Sequence, residues 1–407
     1  MLNSESQATP PKLIRAGCLI DGRSHTLHYD QAIRVQGGMI TTVEDWPAGE
    51  PAPDVDLSLY MVVPGLIDTH LHVTFDPAAP QMYDPVQNGE QILRRSLENA
   101  RALLCAGVTT AADCGAQDEL VFAVQQACQA NPARGPRILT SGYALVPQGG
   151  HGAELIGRPA SGVEALRRAV LERAAAGADF IKVMATAGGG EAPGQSHYDL
   201  AELTVIHQTA ADCGLRVAAH AHGVQGIRDC VQAGIERIEH CTFYAPDGSF
   251  AFDPALAARI ARQGVFVTPT NAIDYRRIAR GGEGAPRQEL NRIWRGLLQA
   301  GVTFAAGSDA CVTDMHYDDY ALIPELMISE LGMTPWQALL ACTAHAAAAL
   351  GLEGQCGVLE AGKQADLVAL AGNPLEDICA LRRVSGVVRQ GRLVYQAAAS
   401  PIEENHL

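Results

Sequence analysis

The chain has 407 residues, of which 47% are apolar and 18% charged, as is ordinary for a globular protein with a large core. Its formal net charge of −15 and the absence of a dense lysine and arginine cluster argue against nucleic acid or an anionic membrane surface as a partner. The polar start of the chain, the lack of any run of about 18 apolar residues and the scattered cysteines predict a cytoplasmic protein with reduced thiols.

Both ends of the chain consist of short apolar runs separated by glycines. One such region covers about residues 13–60, and segments of similar character cover residues 356–370 and 384–395. Short runs bounded by glycine are typical of antiparallel β structure. Because two similar ends flank a different middle, we predict one small β-sandwich domain formed from both chain termini, in two parts over residues 1–62 and 354–407.

The middle of the chain repeats a unit in which a short apolar strand precedes a longer helical stretch. Several helical stretches end in Ala-Gly or Cys-Gly, and glycine after a helix is a stop signal. The predicted strands cover residues 61–67, 108–112, 137–141, 180–184, 216–219, 237–239, 265–268 and 302–306. Eight such units predict an α/β protein with a (β/α)8 TIM barrel over residues 63–353. A doubly wound sheet is the alternative.

Polar side chains stand at or near the ends of several predicted strands. In a TIM barrel these ends meet at one mouth, where the active site lies. Two histidines separated by one residue face the same side of a strand, and this spacing occurs twice. The residues concerned are His70, His72, Lys182, His220, His222, His240 and Asp309.

Imidazoles and a carboxylate suit Zn²⁺ and similar divalent ions, which acidify bound water. Lys182 lies inside an apolar run, and burying an ammonium group is costly. A neutral amine at this position could react with CO₂ to give a carbamate that bridges a pair of metals, whereas a snorkelling or ion-paired lysine is the simpler alternative. Each histidine taken alone could be a hydrogen-bonded core residue, and Asp309 a turn residue. Their convergence favours a hydrolytic metal site.

At these residues the chain resembles the amidohydrolase superfamily. The matching segments are VPGLIDTHLH at 63–72, Ile181-Lys182, His220, IEH at 238–240, GSD at 307–309 and LEAGKQADLV at 359–368. Within the superfamily it looks most like the branch of metal-dependent Xaa-Pro and Xaa-Arg dipeptidases and ochratoxinase-like amidases. This branch is grouped with imidazolonepropionase-like proteins. That choice depends on QGGHG at 148–152, AHAHG at 219–223 and the glycines at 188–190.

The resemblance implies a binuclear centre, most simply with zinc. His70, His72 and Asp309 would hold one metal, and His220 and His240 the other, with carboxylated Lys182 and a hydroxide as bridges. Asp309 would shuttle the proton from the attacking hydroxide to the leaving amine. His222 would hydrogen-bond the substrate carbonyl or the oxyanion. Spacing alone does not separate His220 from His222 as the ligand. The branch also implies a homo-oligomer.

Substrate-binding residues are expected on loops after the strands. The resemblance assigns this role to His151, in a glycine-rich loop, and we add Tyr143, His197 and His316 for possible substrate contact. No arginine clamp for a free α-carboxylate is evident at the mouth. Recognition of a free α-carboxylate is therefore not predicted, which leaves a carbamate, an anilide or another xenobiotic amide open as the substrate beside a dipeptide or an N-acyl amino acid.

The main functional hypothesis is hydrolysis of an exocyclic amide, peptide or carbamate bond by a binuclear metal centre. A mononuclear cyclic-amide hydrolase or deaminase resembling imidazolonepropionase is the first alternative, although such relatives generally lack the lysine that Lys182 provides. A non-catalytic scaffold that keeps the barrel is an alternative of another class. Such relatives tend to lose ligands, and here all the expected positions are filled.

Overall fold

A computed structural model describes residues 11–77, 89–116, 120–188, 192, 194–282, 284, 286–312 and 315–398. The strands are β1 Lys12–Ile20, β2 Leu27–Gln36, β3 Met39–Asp45, β4 Val55–Pro64, β5 Leu66–Leu71, β6 Val108–Asp113, β7 Arg137–Thr140, β8 Ala144–Val146, β9 Gly157–Pro159, β10 Phe180–Met184, β11 Arg216–Gly223, β12 Arg237–Tyr244, β13 Phe266–Thr268, β14 Leu367–Leu370, β15 Val384–Arg389 and β16 Arg392–Gln396. The helices are α1 Gly89–Cys105, α2 Leu120–Ala130, α3 Val163–Ala176, α4 Leu200–Asp212, α5 Val224–Ala233, α6 Pro254–Arg262, α7 Tyr275–Ala279, α8 Arg287–Gln299, α9 Leu322–Ser329, α10 Pro335–Ala341 and α11 Ala344–Ala349, with a 3-10 helix at Ile378–Arg382. Over the residues described, none of these helices combines the length and apolar character needed to cross a bilayer.

The two chain ends form one seven-stranded sheet. Its strand order is β16-β15-β14-β4-β1-β2-β3, with β1 and β4 parallel and the other neighbours antiparallel. The sheet curls back on itself, because Met39 at the start of β3 pairs with Gln364, shortly before β14. Apolar residues from both termini, including Ile33 and Val388, are fully buried in its core. This arrangement confirms the predicted small β domain built from both termini.

Parallel strands in two groups form the barrel. β5, β6 and β7 pair in that order, and β10, β11, β12 and β13 pair in a second group. The groups meet where Asp179 donates its backbone N–H to the carbonyl of Thr140 at 2.8 Å. Helices follow the strands and bury apolar faces against them, as Leu103 and Ile227 do. The predicted (β/α)8 class is confirmed.

The eighth predicted strand, at 302–306, is not a regular strand. It forms an isolated bridge between Phe304 and Val267. Its backbone nevertheless closes the ring, since Ala305 donates to Val267 at 3.0 Å and Thr69 donates to Ala306 at 2.9 Å. The N–H of Ala306 bonds to the end of α10 instead of to a neighbouring strand. Because its hydrogen bonds are divided between these partners, the segment occupies the eighth position without a continuous ladder.

The first predicted strand, at 61–67, is divided by Gly65. β4 ends at Pro64 in the terminal sheet, and β5 begins at Leu66 in the barrel. A Cβ atom on Gly65 would lie 2.0 Å from the Oγ1 of Thr109, so any larger residue would clash. The glycine therefore lets the chain pass from one domain to the other just before His70 and His72. The exact domain boundaries remain a prediction.

Candidate active site

A cavity of about 650 Å³ opens at the carboxyl ends of the barrel strands. It is the size of a typical small-molecule site. The predicted site residues that line it are His70, His72, His151, Lys182, His220, His222, His240 and Asp309. The structure thus brings together every residue predicted to bind metal, together with His151 and His222.

His70, His72 and Asp309 form one cluster. The Oδ1 of Asp309 lies 3.3 Å from the Nε2 of His70 and 3.5 Å from the Nε2 of His72. The opposite ring nitrogens are already engaged: Nδ1 of His70 contacts Glu239 at 2.9 Å, and Nδ1 of His72 donates to the carbonyl of Gly115 at 2.9 Å. Metal-binding histidines are commonly oriented in this way, by an acceptor on the far nitrogen. Their Nε2 atoms are left to face Asp309.

His220, His222 and His240 form the second cluster. One ligand atom from each lies within 4.8 Å of the others, and the three ring centroids are 4.5 to 4.6 Å apart. The Nδ1 atoms of His222 and His240 bond to the hydroxyls of Thr242 and Thr270, each at 2.8 Å. Each threonine fixes the orientation of its ring. His240 also groups with His70 and Asp309, so the two clusters are continuous.

The burial of Lys182 indicates whether the site fits metal ions. Its side chain is only 1% exposed, and its Nζ has no hydrogen-bond partner among the residues described. The Nε2 of buried His220 is also unpartnered within that part of the chain. An unpaired polar group in a protein interior costs several kcal/mol by rough estimate, more for a charge. A group of imidazoles and a carboxylate surrounding such atoms fits divalent metal ions.

The buried site favours the protonation states that metal binding requires. Burial lowers the pKa of His70, lowers that of His222 to about 3, and holds those of His220 and His240 well below the usual range. Burial alone would raise the pKa of Asp309, but the surrounding histidines outweigh it and keep the pKa well below the ordinary value. Neutral imidazoles and an ionised carboxylate are the forms that coordinate metals.

The site is held by strained and close-packed backbone. His240 and Asp309 have φ angles of 66° and 53°, in the left-handed region that is uncommon for residues with side chains. The N–H of Asp309 donates to the carbonyl of His70 at 2.7 Å. A Cβ on Gly307 would lie 2.4 Å from the Cγ2 of Thr268 and 2.9 Å from the Cβ of His70, which explains the glycine in Gly-Ser-Asp.

Sequence reasoning missed the residues that lie behind the two histidine clusters. Glu239 is fully buried between His70 and Arg237, whose Nε lies 2.7 Å from Oε1. Burial alone would raise the pKa of Glu239, but Arg237, His70 and Lys182 hold it well below the usual range. Alternation along β12 was the available signal, since residues 237 and 239 share one face. The two threonines that orient His222 and His240 had no comparable signal.

The other predicted substrate contacts lie elsewhere. Tyr143 is 3% exposed, and the guanidinium of Arg158 stacks on its ring at 3.5 Å. The Nδ1 of His197 bonds to the carbonyl of Met184 at 3.1 Å, and His316 is on the exposed surface. Among the described residues that line the cavity, none is Tyr143, His197 or His316. His151 does line the cavity, and its ring lies 5.1 Å from that of His220. Gly189 and Gly190 lie outside the described residues.

An arginine does reach the mouth, contrary to the sequence-based expectation. Arg277 of α7 lines the cavity. An irregular segment separates α7 from the end of β13, so strand-end reasoning did not find Arg277. Apolar side chains, among them Phe75 and Leu155, line other parts of the cavity.

The sequence model of the Amidohydrolase family matches residues 61–394, which is most of the chain. This protein belongs to the amidohydrolase family. Ochratoxinase from Aspergillus niger is 29% identical to this amidohydrolase over 362 residues, covering 78% of this chain and 72% of the relative. Imidazolonepropionase from Aeromonas hydrophila subsp. hydrophila is 25% identical over 375 residues, covering 83% and 84%.

A solved structure of a Xaa-Pro dipeptidase with methionine bound in its active site is also similar. It has a TM-score of 0.84 and 26% identity, and the match covers 95% of this chain and 100% of that one. These relatives confirm the predicted branch. The amidohydrolase is therefore a hydrolase that acts on C–N bonds, and the scaffold hypothesis is not supported.

Proposed function

We propose that this amidohydrolase cleaves an exocyclic amide bond, in a peptide-like compound, an N-acyl amino acid or a carbamate, with a pair of divalent metal ions. The observation that carries the proposal is the Nζ of Lys182, which has no hydrogen-bond partner among the described residues and is buried in the same cavity as both histidine clusters. The likeness to ochratoxinase and to a Xaa-Pro dipeptidase supports an amide as substrate. Zn²⁺ is the first choice because imidazole and carboxylate ligands suit it.

His70, His72 and Asp309 would hold one ion, and His220 and His240 the other. Lys182 would link them as a carbamate: its neutral amine adds to the carbon of CO₂, an N–C bond forms and one proton is released. As a carbamate, Lys182 would be an anion beside the ions instead of a buried amine without a hydrogen-bond partner among the described residues, so the cost of its burial would be offset. When bound, such ions acidify water and polarise a carbonyl group.

Asp309 is the proton carrier in this mechanism. It takes the proton of the attacking water and delivers it to the nitrogen of the leaving amine, so that the C–N bond breaks without releasing an amide anion. Its position within 3.5 Å of two histidines keeps it ionised and ready to accept the proton.

His222 is the proposed hydrogen-bond donor to the substrate carbonyl. The hydroxyl of Thr242 can donate to its Nδ1, which leaves the proton on Nε2. Burial, and after it the charge of His151, lower the pKa of His222 to about 3, so it acts as a neutral donor. A donor fixed before reaction stabilises the charge that develops on the carbonyl oxygen.

Asp309→Asn tests this mechanism. We expect turnover of dipeptides, N-acyl amino acids or carbamates to fall by about 10²- to 10⁴-fold, the usual contribution of a general acid–base group, with only modest loss of metal. Asp212→Asn, the same change at an exposed position at the end of α4, is the control. Near-normal turnover in the Asp309 variant would contradict the mechanism.

Hydrolysis of a cyclic amide or deamination is the second candidate. It is favoured by the likeness to imidazolonepropionase over 83% of this chain. It requires a single metal ion and gives the buried Lys182 no role, which is why we place it second.

A further inference from the structure

Arg277 contributes a positive charge to the wall of the cavity. Among the described residues that line the cavity, the only lysine and arginine are Lys182 and Arg277. Lys182 is enclosed with the histidines, whereas the side chain of Arg277 is 53% exposed. Asp274, its ion-pair partner, lines the same cavity.

The surroundings of Arg277 hold it in place. Its Nη2 lies 2.6 Å from the Oδ1 of Asp274, whose side chain is 11% exposed. Asp274 stands directly before α7 with a φ angle of 58°. The guanidinium of Arg287 lies 5.1 Å from the ring centroid of Tyr275, which fixes the start of the same helix. The ion pair with Asp274 therefore restrains the guanidinium of Arg277, and the contact of Arg287 with Tyr275 restrains the helix that carries it.

Arg276, next to Arg277 on α7, has a different partner and a different direction. Arg276 pairs with Asp319, just before α9, and does not line the described cavity. Arg277, one residue later, faces the cavity because successive residues of a helix point about 100° apart. Adjacent arginines of one short helix thus have different partners.

The wall around His151 is different in character. Leu155, Ile156 and Met184 line it and form an apolar cluster with Ala144 and Val146. Such a wall accepts an apolar group by burial, whereas a guanidinium accepts a planar anion through paired N–H donors.

We propose that Arg277 is a specificity-determining residue that binds a carboxylate of the substrate while the apolar wall around Leu155 and Ile156 receives an apolar group. This inference rests on the proposed amide hydrolysis and adds the residue that selects the substrate. Asp274 positions the guanidinium and leaves its remaining N–H donors for the ligand. An arginine is required because the paired donors, and not the charge alone, match a carboxylate.

The test compares N-benzoyl-phenylalanine with N-benzoyl-phenylalaninamide, which differ in the carboxylate. Release of benzoate and binding by calorimetry are measured for the metal-loaded wild type and for Arg277→Ala and Arg277→Lys. Arg280→Ala removes the same charge from an exposed position just after α7 and is the control.

We expect Arg277→Ala to lower kcat/KM for the acid by roughly 10- to 100-fold, chiefly through KM, because a hydrogen bond to a charged group is lost. The kcat/KM of Arg277→Ala for the amide should stay within about twofold of the wild type. The kcat/KM of Arg280→Ala for both compounds should also stay within about twofold. Arg277→Lys should recover only part of the loss for the acid. Equal effects on acid and amide, or none, would overturn the proposal.

The binding measurement separates this proposal from the proposed function. If the wild type binds the acid more tightly than the amide and Arg277→Ala abolishes the preference, but no benzoate is released, amide hydrolysis is wrong and carboxylate recognition stands. If benzoate is released from both compounds with no preference, hydrolysis stands and the role of Arg277 is wrong. If the wild type binds neither compound, the role of Arg277 is also wrong.

Discussion

The Nδ1 of His70 and the Oε2 of Glu239 lie 2.9 Å apart inside the barrel, and neither side chain is more than 2% exposed. Glu239 also accepts from the Nε of Arg237 at 2.7 Å. The carboxylate therefore fixes the ring of His70 and directs its other nitrogen toward Asp309. A metal ligand oriented in this way is more basic and better placed than an unsupported imidazole.

Glu239→Gln should lower metal affinity by about 10- to 100-fold, as is typical when the partner of a metal-binding histidine is changed. The amide keeps the shape of the side chain but not the charge that orients His70 and balances Arg237. Competition with a chromophoric chelator measures the affinity. Glu236→Gln, at a glutamate that pairs with His207 outside the cavity, should leave affinity unchanged. Equal affinities for wild type and Glu239→Gln would refute the role of Glu239.

Lys182→Met should sharply reduce the metal content of the purified protein, because methionine fills the same volume without the amine that would form the bridge. The fold should persist, since an unbranched apolar side chain is compatible with a fully buried position. Metal content is measured by elemental analysis, and folding by circular dichroism. Lys363→Met, in the terminal domain, is the control. A folded Lys182 variant with normal metal content would show that the lysine does not hold the ions.

Much of this site followed from the sequence because one constraint on it is local and the other is a general rule of the barrel fold. Residues separated by one position in a strand share a face, which placed His70 with His72 and His220 with His222. The barrel rule then brought distant strand ends together. The strand predicted at 180–184 matches β10. Apolar runs flanked by stop signals determine such an element with little help from tertiary contacts.

The rest depended on contacts between segments far apart in the chain. The division at Gly65 reflects the approach of Thr109, and the irregular strand at 302–306 reflects a hydrogen bond to the end of α10. Neither partner can be identified from local pattern. Arg277 reaches the cavity only through the path of the segment after β13. The ring of Tyr143 packs against the guanidinium groups of Arg158 and Arg173, an arrangement that a loop position cannot reveal.

Arg389→Met should lower the free energy of unfolding by about 2 to 4 kcal/mol, because buried carbonyl groups lose a charged donor. Arg389 is 1% exposed, and its Nη1 donates to the carbonyls of Cys128 and Gly135, which links β15 to the end of α2 and the turn after it. Urea unfolding followed by tryptophan fluorescence measures the change. Arg392→Met, at an exposed position on β16, should differ from the wild type by less than about 0.5 kcal/mol. Similar losses in both variants would contradict the role of Arg389.

The pair of His207 and Glu236 should make stability depend weakly on pH. The hydrogen bond that the Nε2 of His207 donates to the carboxylate of Glu236, at 3.5 Å, raises the pKa of His207 above 6.5. Because the folded pKa is the higher one, this contribution is fully present below pH 6.5 and is lost as the pH rises through the folded pKa. Partial exposure limits it to less than about 1 kcal/mol. His207→Gln should therefore lower the melting temperature more at pH 6 than at pH 9, and a pH-independent difference would contradict the pairing.

The most direct test of the account is the number of metal ions per chain. Elemental analysis of protein purified without chelator, after expression with Zn²⁺ and bicarbonate, should find about two ions per chain if Lys182 bridges the two histidine clusters. About one ion per chain, or none, would contradict the proposed binuclear centre.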